Sequence, residues 1–142
     1  SHALLDVIKS IESIKQKYKP SLVYTHSAVD LNVDHRVVAN AVLTAFRPQP
    51  LEHCKEIRLF EVASSTDFGV PAINGSFKPN LFVEITLEWG AKLEALKVYK
   101  SEMRNYPHSR SLKGISNLAK IRGNQVGFEM AESFEIIRKV EI

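Results

Sequence analysis

Cysteine is almost absent from this chain of 142 residues, in which Cys54 stands alone. One cysteine excludes a disulfide within the chain, and we therefore expect a reducing compartment, the cytoplasm, or indifference to redox state. Long apolar runs are missing too. The run at residues 81–83 is far too short to cross a bilayer, and no signal-peptide pattern opens the chain. A membrane span is therefore not expected.

The chain also lacks a cluster of charge of one sign, although its net charge is +3 and its isoelectric point is near 9.0. Its 19 basic side chains are interspersed with 16 acidic ones, and no basic patch with interleaved aromatic residues stands out. This pattern is typical of a solvated surface and argues against a nucleic-acid partner. The hydrophobic content of 44% can build the core of a single or partial domain over residues 1–142.

Helices and short strands alternate in the first half of the chain. Apolar residues at helical spacing predict helices over residues 3–18, 34–46, 88–105 and 111–122. Runs of β-forming residues predict strands over 21–25, 56–62, 81–87 and 134–140, with a long loop over 63–79. This alternation predicts a three-layer α/β fold with parallel strands joined by crossover helices.

The segment between the first predicted strand and the second helix concentrates residues that could bind a metal: His26, Asp30, Asn32, Asp34 and His35. In parallel α/β sheets, ligands gather beyond the carboxyl ends of the strands, which is where this segment lies. Imidazole and carboxylate are groups that zinc accepts. His35 falls in the first helical turn, where a neighbouring aspartate could orient its ring. The composition indicates one corner of an open zinc site.

A second interpretation of the same segment stays open. Asn32 or Asp34 could simply cap the helix by accepting a backbone N–H, with His35 as a surface residue. The spacing alone does not separate the two interpretations.

A turn at residues 106–111 places His108 and Arg110 between two predicted helices. Ordinary turn chemistry is the simpler interpretation. Contact with an anion or a sugar is the alternative, because loops often carry function and arginine recognises anionic groups.

Seven segments in order resemble the PIG-L/LmbE-like zinc-dependent N-deacetylases, and together they cover nearly the whole chain. Each motif is modest, and their order and spacing are fairly specific. They are residues 19–27, 30–36, 60–66, 77–80, 92–99, 106–111 and 131–134.

The resemblance implies a Rossmann-like, mainly parallel sheet and hydrolysis of an N-acetyl group, commonly on an amino sugar. It makes His35 a zinc ligand and Asp34 a catalytic residue that orients a neighbour. The family's His-Pro-Asp-Asp motif, which supplies two more zinc ligands and a general base, is missing here. The chain therefore resembles only the C-terminal portion, without the N-terminal strands. We expect it to supply one zinc ligand and part of the substrate pocket, and to be inactive with weak or no zinc binding alone.

One residue departs from the family pattern. Many members have a histidine where this chain has Asn32, and an amide can donate a hydrogen bond but no proton at neutral pH. The acid role would then fall to His26 or His108. Asp30 and Arg110 are the predicted substrate-binding residues.

Non-catalytic interpretations stay open as well. The chain could be a small-molecule-binding or self-associating α/β fragment. An exposed sheet edge, where the missing strands should pair, would encourage homo-oligomers.

Overall fold

A computed structural model of the chain describes residues 2–142, apart from the side chain of His2. Its elements, in chain order, are α1 His2–Tyr18, β1 Leu22–His26, α2 Val33–Ala45, β2 Glu56–Phe60, α3 Pro71–Asn74, β3 Leu81–Glu84, α4 Trp89–Val98, α5 Leu112–Asn124 and β4 Ala131–Lys139. They form an α/β fold with one open sheet in the strand order β1-β2-β4-β3.

Two compact units share these elements. The first unit comprises the described residues up to Lys78 together with Glu135–Ile142, and the second unit is Pro79–Phe134. The domain organisation inferred from the sequence, a single or partial domain, stays a prediction.

The core of the first unit lies between α2 and the parallel strands β1 and β2. Because the apolar residues of α2 recur every three or four positions, they share one face, and Val42, Ala45 and Phe46 are buried there with Cys54 and Ile57. β1 and β2 run parallel, in the register Leu22↔Glu56 to His26↔Phe60, as the sequence predicts. This pairing brings the carboxyl ends of both strands to one edge.

The second unit is built on the antiparallel pair β3 and β4, in the register Leu81↔Phe134 to Glu84↔Ala131. Its core consists of Ile85, Ala119 and Met130, with Trp89 packed against them. The sheet is mostly parallel at its core, as the sequence predicts, and its edge strand β3 pairs antiparallel with β4. The helices α4 and α5 lie between β3 and β4 in the chain, so the alternation of helices and strands continues through the second unit.

Three predicted boundaries differ from the observed ones by three residues or more. α4 ends at Val98 rather than at residue 105, and none of its residues is buried, so little packing holds a longer helix. β3 ends at Glu84 rather than at residue 87, and β4 starts at Ala131 rather than at residue 134, because these two ends pair with each other. The loop at 63–79 contains the short helix α3, which begins at Pro71, where a missing N–H costs nothing.

None of the helices within residues 2–142 combines the length and the apolar character that crossing a bilayer requires.

Candidate active site

The start of α2 is fixed by Asn32. Its side-chain oxygen accepts hydrogen bonds from the backbone N–H of Asp34 (2.9 Å) and of His35 (3.3 Å). This is the capping contact that one interpretation of the sequence predicts, and it satisfies two N–H groups that the helix leaves unpaired. The cap places His35 in the first turn, just beyond the carboxyl end of β1.

The His35 ring is held by a carboxylate from the preceding loop. His35 Nδ1 lies 2.9 Å from Asp30 Oδ2, and the Asp30 side chain is completely buried. The hydroxyl of Thr66 donates to the other carboxylate oxygen, Oδ1, at 2.7 Å. Thr66 Oγ1 also accepts from the backbone N–H of Val62 at 2.8 Å. These contacts form a chain that we call the Thr66–Asp30–His35 relay.

The relay determines which nitrogen of His35 is available. A carboxylate without a proton can only accept, so a neutral His35 carries its proton on Nδ1 and keeps the lone pair of Nε2. A carboxylate that accepts from one ring nitrogen of a histidine orients the ring for a metal at the other nitrogen. The side chain of His35 is 18% exposed.

The sequence suggested Asp34 as the carboxylate that orients a neighbour. The carboxylate that contacts His35 is instead that of Asp30, whereas Asp34 is exposed in the first turn of α2. The Asp30 side chain is buried with both oxygens engaged, and its predicted substrate-binding role stays a prediction. The catalytic role of Asp34 stays a prediction.

His26 completes the cluster from the end of β1. Its ring stacks on His35 with centroids 4.1 Å apart and lies 4.7 Å from the ring of Phe60. Burial lowers the pKa of His26, and the nearby His35 lowers it further, against an opposing effect of Asp30. The neutral form therefore prevails at neutral pH, whereas the predicted acid role requires the protonated form. His26 Nδ1 is buried and has no hydrogen-bond partner within residues 2–142.

The donor set fits one corner of a metal site. Within residues 2–142, no three His, Cys, Asp or Glu side chains are grouped so that they could hold a metal ion. Asp30 is committed to His35 and Thr66, which leaves the ring nitrogens of His35 and His26 as the donor atoms of this cluster. A zinc site requires about three protein ligands. His35 fits such a site as one member.

His108 and Arg110 lie in the second unit, in the turn that precedes α5. The backbone N–H of Arg110 donates to His108 Nδ1 at 3.0 Å, and Arg110 contacts Glu102 at 3.3 Å. Ser111 caps α5 by accepting from the N–H of Gly114. The side chains thus stabilise the turn, as its simpler interpretation predicts. The acid role of His108 and the substrate contact of Arg110 stay predictions.

Sequence reasoning missed Thr66. The hydroxyl-rich residues 64–67 carry a local signal for a loop, and Ser64 N–H indeed donates to Asp67 at 2.6 Å. The bond from Thr66 to Asp30 joins residues 36 positions apart. No local pattern predicts such a contact.

The chain matches no protein-family model and no curated protein. It is nevertheless similar in fold to several solved structures. One is the N,N'-diacetylchitobiose deacetylase from Pyrococcus horikoshii, with a TM-score of 0.70, 20% identity and coverage of 94% of this chain and 51% of that one. A deacetylase of teicoplanin biosynthesis has a TM-score of 0.70 and 21% identity, with 99% and 52% covered.

A third similar structure is that of an enzyme with a different reaction. The 4-carboxy-2-hydroxymuconate hydratase GalB from Pseudomonas putida has a TM-score of 0.65 and 20% identity, with 96% of this chain and 60% of that one covered. At such identities the likeness shows the fold, which is shared by deacetylases and a hydratase. The chain spans roughly half of the length of the two deacetylases.

Proposed function

We propose that this chain is part of a zinc-dependent N-deacetylase that hydrolyses the N-acetyl group of an amino sugar or sugar conjugate. The observation that carries the proposal is the hydrogen bond between the buried Asp30 carboxylate and His35 Nδ1, at the carboxyl end of β1. This bond keeps the proton on Nδ1 and the lone pair on Nε2, which is the arrangement of a metal-binding histidine. The fold is one that the chain shares with deacetylases.

In this proposal His35 Nε2 would be one of three protein ligands. Zinc, when bound, polarises the acetyl carbonyl and lowers the pKa of a water molecule. Asp30 holds the proton of His35 Nδ1 and keeps the ring from turning, while Thr66 keeps Asp30 in place. These two residues act through His35 and are positioning residues.

Asn32 contributes at the start of α2. Its oxygen is occupied by the helix cap, whereas its exposed amide nitrogen can donate a hydrogen bond to an oxyanion. Asp34 is exposed beside it and is the predicted catalytic carboxylate. The proton donor would be His26 or His108, as the sequence predicts. Arg110 would contact the substrate.

The remaining ligands and the general base would come from residues outside these 142. The activity proposed here therefore belongs to a longer protein, and this chain alone would be inactive. The alternative for the isolated chain is a non-catalytic fragment that binds small molecules or self-associates.

The test uses the longest natural protein that contains this chain. Zinc content and acetate release from a panel of N-acetylated amino sugars are measured for the unmodified protein, His35→Ala and the control His53→Ala. His53 is exposed and outside the cluster. We expect His35→Ala to lose both zinc and activity and His53→Ala to keep both. Full activity in His35→Ala would show that the assignment of the site is wrong.

A second variant examines the relay. Asp30→Asn keeps the size of the side chain but removes the charge, and changes to a residue that hydrogen-bonds a metal ligand weaken metal binding by roughly 10- to 100-fold. Zinc affinity is measured by competition with a chelator. An unchanged zinc affinity in Asp30→Asn would mean that Asp30 has no part in the proposed function.

The reaction itself has an alternative outcome. If the unmodified longer protein hydrated an unsaturated acid and released no acetate, a hydratase would be favoured instead.

The isolated chain provides a separate check. With one zinc ligand it should bind zinc weakly and without fixed stoichiometry. A metal titration that shows tight one-to-one binding would contradict the single-ligand interpretation.

A further inference from the structure

The loop that carries Asp30 is tied down by an arginine outside the Thr66–Asp30–His35 relay. Arg36 follows His35 in the first turn of α2. Its Nη1 donates to the backbone oxygen of Asp30 at 2.8 Å and to that of Leu31 at 2.7 Å. Because Nη1 carries two hydrogens, each carbonyl group receives one of them. We call this pair of contacts the Arg36 clamp.

The clamp completes the hydrogen bonding of a residue that is removed from water. Asp30 is completely buried. Its backbone N–H donates to Ser27 O at 3.4 Å, its side-chain oxygens are occupied by the relay, and its backbone oxygen accepts from Arg36. A buried carbonyl group without a donor is costly. Without Arg36, the loop would therefore gain free energy by moving the Asp30 carbonyl towards water.

Two other bonds hold the same loop, and they act on different groups. The backbone N–H of Leu31 donates to Ser65 O at 2.9 Å, and that of Val29 donates to the Ser27 hydroxyl at 3.3 Å. Both bonds fix N–H groups. The carbonyl groups of residues 30 and 31 take their donor from Arg36. The clamp therefore restrains the loop in a way that the other two bonds do not.

The chemistry of the arginine side chain suits this task. Arg36 is half-buried, and it takes part in none of the ion pairs found within residues 2–142. No carboxylate of those pairs draws the guanidinium away from the loop. A guanidinium donates through a rigid, planar fork, so its two contacts fix the direction of both carbonyl groups.

The clamp acts on His35 through Asp30. Asp30 Oδ2 lies 2.9 Å from His35 Nδ1, and a hydrogen bond weakens steeply when its distance or angle departs from the preferred range. A small shift of the loop would therefore release the imidazole ring. A released ring divides its proton between Nδ1 and Nε2, whereas a held ring keeps the proton on Nδ1.

We infer that Arg36 is a positioning residue, which holds Asp30 against His35 so that His35 keeps its proton on Nδ1 before any metal binds. The clamp itself does not depend on the deacetylase function, and only its consequence for zinc rests on that proposed function. A ligand atom that is already oriented lowers the cost of metal binding, because less freedom is lost when the metal enters.

The proton of His35 is observable by NMR in the zinc-free chain. A long-range nitrogen–proton correlation spectrum, recorded at mildly alkaline pH, shows which ring nitrogen carries the proton, and His35→Gln assigns the signal by its absence. We expect the unmodified chain to carry the proton on Nδ1. In Arg36→Met we expect both tautomers, and exchange of the ring proton with water about tenfold faster, the value of a hydrogen bond to a charged group.

Arg47→Met is the matched control. Arg47 also donates from Nη1 to a backbone oxygen, that of Thr44 at 2.7 Å, but beyond the other end of α2. Its replacement should lower the midpoint of urea unfolding and leave the His35 spectrum unchanged. An unchanged His35 spectrum in Arg36→Met, or the same change of that spectrum in Arg47→Met, would overturn the inference.

Arg36→Lys separates the contact from the charge. The ammonium group keeps the positive charge but ends one bond short of Nη1 and lacks the planar fork, so it holds the two carbonyl groups less well. Exchange of the ring proton should be faster than in the unmodified chain and slower than in Arg36→Met. This variant still decides the matter if Arg36→Met does not fold. An exchange rate equal to that of the unmodified chain would mean that the charge alone suffices, and would overturn the inference.

The consequence for zinc is measured in the longest natural protein that contains this chain. By competition with a chelator, Arg36→Met should bind zinc about tenfold more weakly, and Arg47→Met should bind it normally. Equal zinc affinity in the two variants would overturn the positioning role of Arg36. If the unmodified longer protein bound no zinc, the deacetylase proposal would fail, and the His35 spectrum would still decide whether the clamp positions the ring.

Discussion

Two buried polar groups, one in each unit, are treated in opposite ways. In the relay of the first unit, both oxygens of the fully buried Asp30 carboxylate are occupied, by Thr66 and by His35. In the second unit, the buried hydroxyl oxygen of Thr86 has no partner within residues 2–142. A satisfied network holds one ring in one orientation, whereas an unpaired buried hydroxyl costs stability and orients no neighbour. The comparison therefore separates a polar group that positions a side chain from one that positions none.

Removal of the Asp30 carboxylate should have the largest effect, because it opens the relay at its centre. Asp30→Ala leaves the Thr66 hydroxyl and His35 Nδ1 without their buried partner and should lower the free energy of unfolding by about 3 kcal/mol. Asp34→Ala, an exposed aspartate in the first turn of α2, is the control and should cost less than about 1 kcal/mol. Urea denaturation measures both. Equal losses of unfolding free energy in the two variants would mean that the buried network adds no more stability than an exposed aspartate does.

A methyl group at Gly123 tests how tightly α5 packs against the segment before β4. Gly123→Ala would force its Cβ against the backbone of Glu129 and Met130, and we expect a loss of about 2 kcal/mol. Gly90→Ala is the control, because a Cβ there meets no atom within 4 Å and alanine favours a helix. The midpoints of thermal and urea unfolding should fall for Gly123→Ala and rise for Gly90→Ala. An unchanged free energy of unfolding in Gly123→Ala would show that the segment before β4 moves to accommodate the methyl group.

The two helix caps compare the units at a smaller scale. Asn32 caps α2 and Ser111 caps α5, each through a side-chain oxygen. Asn32→Ala and Ser111→Ala should each cost about 1 kcal/mol in urea unfolding. Asn32→Asp keeps the capping oxygen and should restore stability, but it removes the amide donor. If Asn32→Asp also kept full deacetylase activity in the longer protein, the predicted oxyanion role of Asn32 would be wrong.

The smallest expected effect concerns an exposed ion pair of the second unit. Lys92 Nζ lies 2.7 Å from Glu132 Oε1, with both side chains about one-third exposed, at 32% and 39%. Lys92→Met should therefore cost only about 0.5 kcal/mol, less still at high salt. A double-mutant cycle with Glu132→Gln measures the coupling between the two side chains. A coupling as large as the effect at Asp30 would contradict the contrast between exposed and buried networks.

Local patterns predicted much of the first unit. The apolar spacing of α2 and the alternation in β2 placed both elements within a residue or two of their observed bounds. The capping role of Asn32 also follows from the sequence, because the contact spans two or three residues. The end of α4 did not follow from the sequence, because none of its residues is buried and no packed face stabilises a longer helix. The mainly parallel core of the sheet followed from the alternation of helices and strands, whereas the antiparallel direction of the edge strand β3 depends on which strand lies alongside it.

The amino-acid sequence by itself determined that His26, Asp30 and His35 lie on one strand–loop–helix segment, and that His35 begins a helix. Only the tertiary structure decided which aspartate serves His35. Asp34 is adjacent in sequence, yet it points to solvent, and Asp30 reaches the ring because the loop turns back and buries it. The same applies to Thr66. Its contact with Asp30 joins residues that are 36 positions apart in the chain, and no local spacing encodes such proximity.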